Sequence, residues 1–124
     1  MSSIRATTIS DLAGTGPATL TGQYAAKAWV NFNGTGTVAI RQSGNVSSIT
    51  DNGTGYYTVS FATALTDANY AVVFGDSSAD ANNDGGWVGI RNGTTPTTTA
   101  FVITTDGRIA GEFDPAFVYC AIFR

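Results

Sequence analysis

The chain is 124 residues long, 43% apolar and 12% charged, with a net charge of −3. That length fits one domain, and the charge content is about half the usual value. No basic patch is available for a nucleic-acid backbone, and the complete absence of histidine excludes Ser-His and Cys-His mechanisms.

Residues 1–26 are rich in Ser, Thr, Gly and Ala, with isolated apolar residues at Ile4, Ile9, Leu12 and Leu20. The segment reads as an extended arm. It is either a frayed terminus or a docking arm, and Ile4, Ile9, Leu12 and Leu20 are the candidates for gripping a neighbour. The first residues lack the basic start and apolar stretch of a signal peptide. No run approaches the roughly 20 apolar residues of a membrane helix. A protein made in the cytoplasm, with no membrane insertion, is expected.

From Lys27 to Arg124 a β-domain is expected. Ala28, Val30 and Phe32 alternate with Trp29, Asn31 and Asn33. The turn residues Asn33-Gly34-Thr35-Gly36 follow, then a second alternating run with Val38 and Ile40. Asn-Gly between alternating runs is a strong hairpin signal. The spacing predicts about eight strands, near 27–32, 37–42, 46–50, 56–62, 69–75, 86–91, 98–104 and 116–123. Turn clusters separate them, the longest being the acidic loop 76–85. Strands of this length and spacing indicate an antiparallel β-sandwich or jelly roll. Ala62 to Asn69 is the best helical segment, and it is short. Tyr57, Val59 and Phe61 form one face, and Tyr70, Val72 and Phe74 look inward.

The last strand is apolar on both faces. Phe117, Tyr119 and Phe123 are the bulkier set and are expected to fill the core. Val118, Cys120 and Ile122 then need a second cover, supplied either by another layer of the same chain or by a subunit interface. The sequence reading assigns them to the interface of a homotrimer.

Chemistry-bearing groups are few. Asp80, Asn82, Asp84 and Gly85 match the opening of a calcium loop, in which alternate oxygens converge on a hard cation. The match ends there, because Arg91 stands where a bidentate Glu is needed. A polar loop at a sandwich end is therefore the expectation, with calcium at Asp80, Asn82 and Asp84 as a weak alternative and no cofactor. Asp76, Asp80, Asn82, Asp84 and Trp87 form the candidate contact set, because loops and exposed rings make binding surfaces. Glu112 and Asp114 are close in sequence, but they read as a turn before the last strand rather than a hydrolase pair. No catalytic residue is expected. Asn-x-Ser/Thr triplets at Asn33, Asn45, Asn52 and Asn92 are explained by turn chemistry.

Three stretches carry a resemblance: Lys27 to Arg41, then Asn45 to Gly55 with Tyr57-Thr58-Val59-Ser60-Phe61, then Asp67-Ala68-Asn69-Tyr70. Together they are similar to a module of tailed-bacteriophage virion proteins found at the ends of tail fibres, especially in phages of cyanobacteria and other marine bacteria. Thr8 to Gly16 also resembles the joint before that module. The likeness covers about residues 7–75. It implies a non-enzymatic, outward-facing, trimeric structural protein on the exterior of the phage particle. Other virion proteins of the tail or capsid would be its partners, and a host surface glycan or protein its target. A capsid decoration (cement) protein stabilising the phage head is the alternative. The resemblance brings no catalytic or ligand residue with it.

Overall fold

The structure is a computed structural model that describes residues 24–77, 86–107 and 111–124. Among these residues there are nine strands and no helix. They are β1 (Ala26–Asn33), β2 (Ala39–Gly44), β3 (Val46–Gly53), β4 (Tyr56–Phe61), β5 (Ala71–Asp76), β6 (Gly86–Ile90), β7 (Ala100–Gly107), β8 (Gly111–Glu112) and β9 (Val118–Phe123). They form two antiparallel sheets packed into a β-sandwich. Sheet I has the order β2-β1-β9-β5, and sheet II has the order β3-β4-β7-β6 with β8 added to β7.

The alternation of the sequence becomes the two faces of each sheet. Ala28, Val30 and Phe32 of β1 point between the sheets, and so do Tyr57, Val59 and Phe61 of β4 and Phe101 and Ile103 of β7. Rings from the two layers interlock. Phe32 meets Tyr57 edge to face, with centroids 5.2 Å apart. Phe61 meets Tyr70 in the same way at 5.6 Å. Tyr70, Val72 and Phe74 are partly buried against this core.

Between β2 and β3 the chain crosses from sheet I to sheet II at one residue, Asn45. Its φ of 54° is one that asparagine tolerates better than most side chains. The Asn45 side chain holds the corner. Its Nδ2 donates to the carbonyls of Lys27 and Thr63, and its Oδ1 accepts from the Thr63 amide at 2.7 Å. Segment 62–70 is irregular rather than helical. The turn expected before the last strand contains the two-residue β8, which pairs with Asp106 and Gly107.

The last strand corrects the sequence reading. β9 is central in sheet I, between β1 and β5. Val118 (0% exposed), Cys120 (3%) and Ile122 (0%) point into the core of their own chain. Phe117 and Tyr119 stand on the opposite face and are exposed. Periodicity cannot choose between two apolar phases, but register can. Ala28, Val30 and Phe32 face Ile122, Cys120 and Val118 across the ladder. Directly paired residues share a face, so the inward phase of β1 fixes that of β9. Size agrees with this. The layers are about 10 Å apart, and Phe32, Tyr57 and Phe101 already bring rings into that gap. Slender residues on β9 fit beneath them. The subunit seam expected at Val118, Cys120 and Ile122 is therefore overturned. Burial also pushes the Cys120 thiol up to about 12, which leaves it un-ionised and inert.

Candidate functional site

The outer face of sheet I carries what the inverted phase of β9 exposes. Trp29 (41% exposed), Val73 (60%) and Tyr119 (42%) stand on three adjacent strands, β1, β5 and β9. Trp29 lies opposite Ala121, which lies opposite Val73. Asn31 lies opposite Tyr119, which lies opposite Gly75. The small residues Ala121 and Gly75 form a floor, and the two rings form walls. The result is a shallow, largely apolar groove of about 410 Å³. Asn31 sits in its floor, with an Oδ1 that is buried and has no hydrogen-bond partner among the described residues.

Both rings pack beside glycines. A Cβ on Gly44 would stand 2.5 Å from the Trp29 indole nitrogen, so the indole lies on bare backbone. The contact at Gly75 is looser: one ring carbon of Tyr119 lies 3.5 Å from where a Cβ would be. Phe117 stacks parallel to Tyr119 with centroids 6.2 Å apart. The Arg41 guanidinium covers Phe117 at 4.0 Å and donates to the Ala116 carbonyl at 2.7 Å. The alternation in β1 sets Trp29 on the face opposite Ala28, Val30 and Phe32, whereas Tyr119, expected in the core, stands outside it. The signal was present in the strand that is apolar on both faces.

Sheet II has a more polar outer face. Trp87, 53% exposed, lies over Gly89, with a ring carbon 3.1 Å from where a Cβ would be. Asp106 stands between Trp87 and Glu112 in the ladder. Arg91 forms an ion pair with Glu112 and lies over the Tyr56 ring at 4.0 Å. Thr104 Oγ1 donates to the same Glu112 carboxylate at 3.2 Å. A half-exposed ring on the same face as two acids, an arginine and a hydroxyl is suited to stacking and hydrogen bonding with a polar ligand.

Of the candidate contact set, Trp87 lies on this face. Asp76 ends β5 and turns away from it. Its Oδ2 lies 3.1 Å from the position a Cβ on Gly86 would take, beside the Phe113 ring. Asp80, Asn82 and Asp84, including the weak calcium site, lie outside the described residues, as do Ile4, Ile9, Leu12 and Leu20 of the arm. Among the described residues no group of three or more acidic, histidine or cysteine side chains gathers to hold a metal.

Glu112 and Asp114 are committed to separate structural partners. Glu112 is held by Arg91 and Thr104. Asp114 Oδ1 accepts from the Gly55 amide at 2.7 Å and from the Tyr57 hydroxyl at 2.6 Å. A second hollow, of about 420 Å³, is bordered by Lys27, Asn45, Leu65 and Arg124. Asn45 is saturated by backbone there, and Arg124 pairs with Asp67, whose carboxyl it holds below its ordinary range. No helix among the described residues is long and apolar enough to cross a membrane.

Comparison with protein-family models, with curated proteins and with solved structures finds no match in any of the three.

Proposed function

We propose that this chain is a non-enzymatic virion structural protein of the bacteriophage tail-fibre type. On this reading its sandwich stands on the particle exterior and presents outer-face aromatics to a host surface. The observation that carries the reading is the Trp87 platform. One edge of its indole packs against the bare backbone of Gly89, the ring is half open to solvent, and Asp106, Glu112 and Arg91 share the same face of the sheet. A rigid π-face with flanking hydrogen-bonding groups suits the apolar face and hydroxyl rim of a pyranose. The resemblance over residues 7–75 supports the virion assignment. The commitment of Glu112 and Asp114 to structural partners favours a binding role over hydrolysis. Several copies on one particle would raise a weak single-site affinity by avidity.

The test is a glycan array of bacterial surface polysaccharides probed with the purified protein. We expect binding to a restricted set of glycans, weakened by roughly tenfold or more in Trp87→Ala, in line with the loss of one stacked ring. An array with no bound glycan, together with phage heads made fragile by deletion of the gene, would overturn this reading in favour of a capsid decoration protein.

A further inference from the structure

The two sides of the sandwich have different edges. On one side lie β2 and β3. β2 carries Arg41 and meets β1 through a register shift, and β3 carries Asp51 and shifts register near both ends. Charges and bulges are the usual protection of an open edge. On the other side lies β5, Ala71-Val72-Val73-Phe74-Gly75-Asp76. Its one charge is Asp76 at the strand's end; it has no lysine, proline or bulge, and it pairs with β9 through six consecutive residues without a shift. Among the described residues β9 is its only strand partner. The adjacent edge strand, β6, is uncharged. However, two of its five residues are glycine, a composition that weakens strand pairing.

The polarity of the edge left open among the described residues follows from one hydrogen bond. The Ser77 amide donates to the Phe117 carbonyl at 2.9 Å, continuing the β5–β9 ladder by one step. Bonded and non-bonded pairs alternate along antiparallel strands. Gly75, Val73 and Ala71 therefore direct their backbone groups to β9. Val72 and Phe74 direct theirs outward, away from β9.

We infer that β5 pairs antiparallel with β5 of a second copy of this chain, about a two-fold axis through Val73. Several features of the strand favour a second copy as the occupant. Residues facing each other across such an axis must come from the same face of the sheet. With Val73 opposite Val73, Val72 meets Phe74, Ala71 meets Gly75, and Tyr70 meets Asp76. Inward residues then meet inward residues, small residues meet small ones, and each acid faces a tyrosine rather than its twin. Val72 and Phe74 exchange both of their outward hydrogen bonds. Val73, the most exposed large apolar residue of sheet I, meets its own copy. The two four-stranded sheets become one of eight strands. A two-fold contact of this kind yields two copies, in contrast to the three that the resemblance implies. The pairing does not depend on glycan binding, which uses the other sheet.

The experiment uses the full chain at micromolar concentration. Light scattering should give the mass of two chains. Val73→Lys places two ammonium groups face to face and should give a folded monomer with an unchanged circular-dichroism spectrum. In the central non-bonded pair the facing Cα atoms stand about 4.5 Å apart, within disulfide reach. Val73→Cys should therefore oxidise to a covalent dimer at least tenfold faster than Gln42→Cys on the opposite edge. A wild-type monomer or trimer would overturn the pairing. So would a dimer that Val73→Lys leaves intact, or equal cross-linking at positions 73 and 42. None of those results bears on the array experiment, so the two readings fail separately.

Discussion

Ile122→Asp is expected to leave the protein unfolded rather than dissociated. Ile122 is 0% exposed, on the central strand of sheet I, and faces Ala28 on β1 and Val72 on β5. Its ladder partners are apolar, so a carboxylate there meets no cation in the described ladder. An isolated buried charge costs several kcal/mol or shifts its pKa to stay neutral, and a neutral acid still leaves polar atoms unpaired. The loss of the isoleucine's packing adds about 2–5 kcal/mol, the cost of a large-to-alanine change in a core. The sum approaches the whole stability of a small domain, about 5–15 kcal/mol. Circular dichroism should show loss of the β-spectrum at room temperature. Ile122→Val is the graded companion. It should remain folded, with a loss of about 0.5–1.5 kcal/mol in urea melts. A folded, soluble Ile122→Asp chain would place this residue at a surface and contradict the core described above.

Tyr57→Phe is expected to cost about 1–3 kcal/mol at neutral pH, the range for stripping a buried acceptor of its partner. Tyr57 is buried on the inner face of β4. Its hydroxyl donates to Asp114 at 2.6 Å and approaches the Gly34 carbonyl at 3.4 Å. Asp114 also accepts the Gly55 amide, and the Gly34 amide donates to the Pro115 carbonyl at 2.9 Å. One hydroxyl thus ties the β1–β2 turn, β4 and the segment before β9 into one end of the sandwich. Gly55 must be glycine for this closure. Its φ is +64°, and a Cβ would strike the Thr105 carbonyl at 2.6 Å.

The same contact gives the protein an alkaline limit. Burial first, then the hydrogen bond to Asp114 and the negative charges of Asp114 and Asp51, raise the Tyr57 phenol well above its ordinary 10.0. The folded state therefore holds a proton that the unfolded chain releases near that value. The stabilising contribution is complete below about pH 10 and is lost as pH rises further, at up to about 1.4 kcal/mol per unit. Urea midpoints measured between about pH 8 and about pH 11 should fall steeply in the parent chain and less steeply in Tyr57→Phe. Parallel curves would contradict the assignment.

Much of the fold was legible because it rests on local rules. Val30 and Phe32 alternate with Asn31 and Asn33, and Tyr57, Val59 and Phe61 alternate with Thr58 and Ser60. Period-two patterns of that kind declare both strand and face. Asn33 is a turn asparagine that bonds its own turn, and Asn52 bonds across its hairpin to β4. Asn33 Nδ2 reaches the Thr35 carbonyl at 2.6 Å, and Asn52 Nδ2 reaches Thr58 Oγ1 at 2.9 Å. The phase of β9 was not legible, because Phe117 to Phe123 is apolar in both phases and the choice is made by pairing with β1, about 90 residues earlier. The ring platforms were hidden for a related reason. Trp29 lies on Gly44, Tyr119 on Gly75 and Trp87 on Gly89, and only the last pair is close in sequence. Glu112 and Arg91 meet through strand order, which no spacing rule encodes.

Cysteine scanning along β9 tests the central claim most directly. In a Cys120→Ala background, single cysteines are placed in turn at positions 117 to 122, restoring Cys120 at its own position, and maleimide labelling of the native protein is timed. Cysteines at 117, 119 and 121 should label within minutes, while those at 118, 120 and 122 should wait for unfolding. The reverse pattern, or uniform labelling along the strand, would contradict a sandwich that seals Val118, Cys120 and Ile122 within its own two sheets.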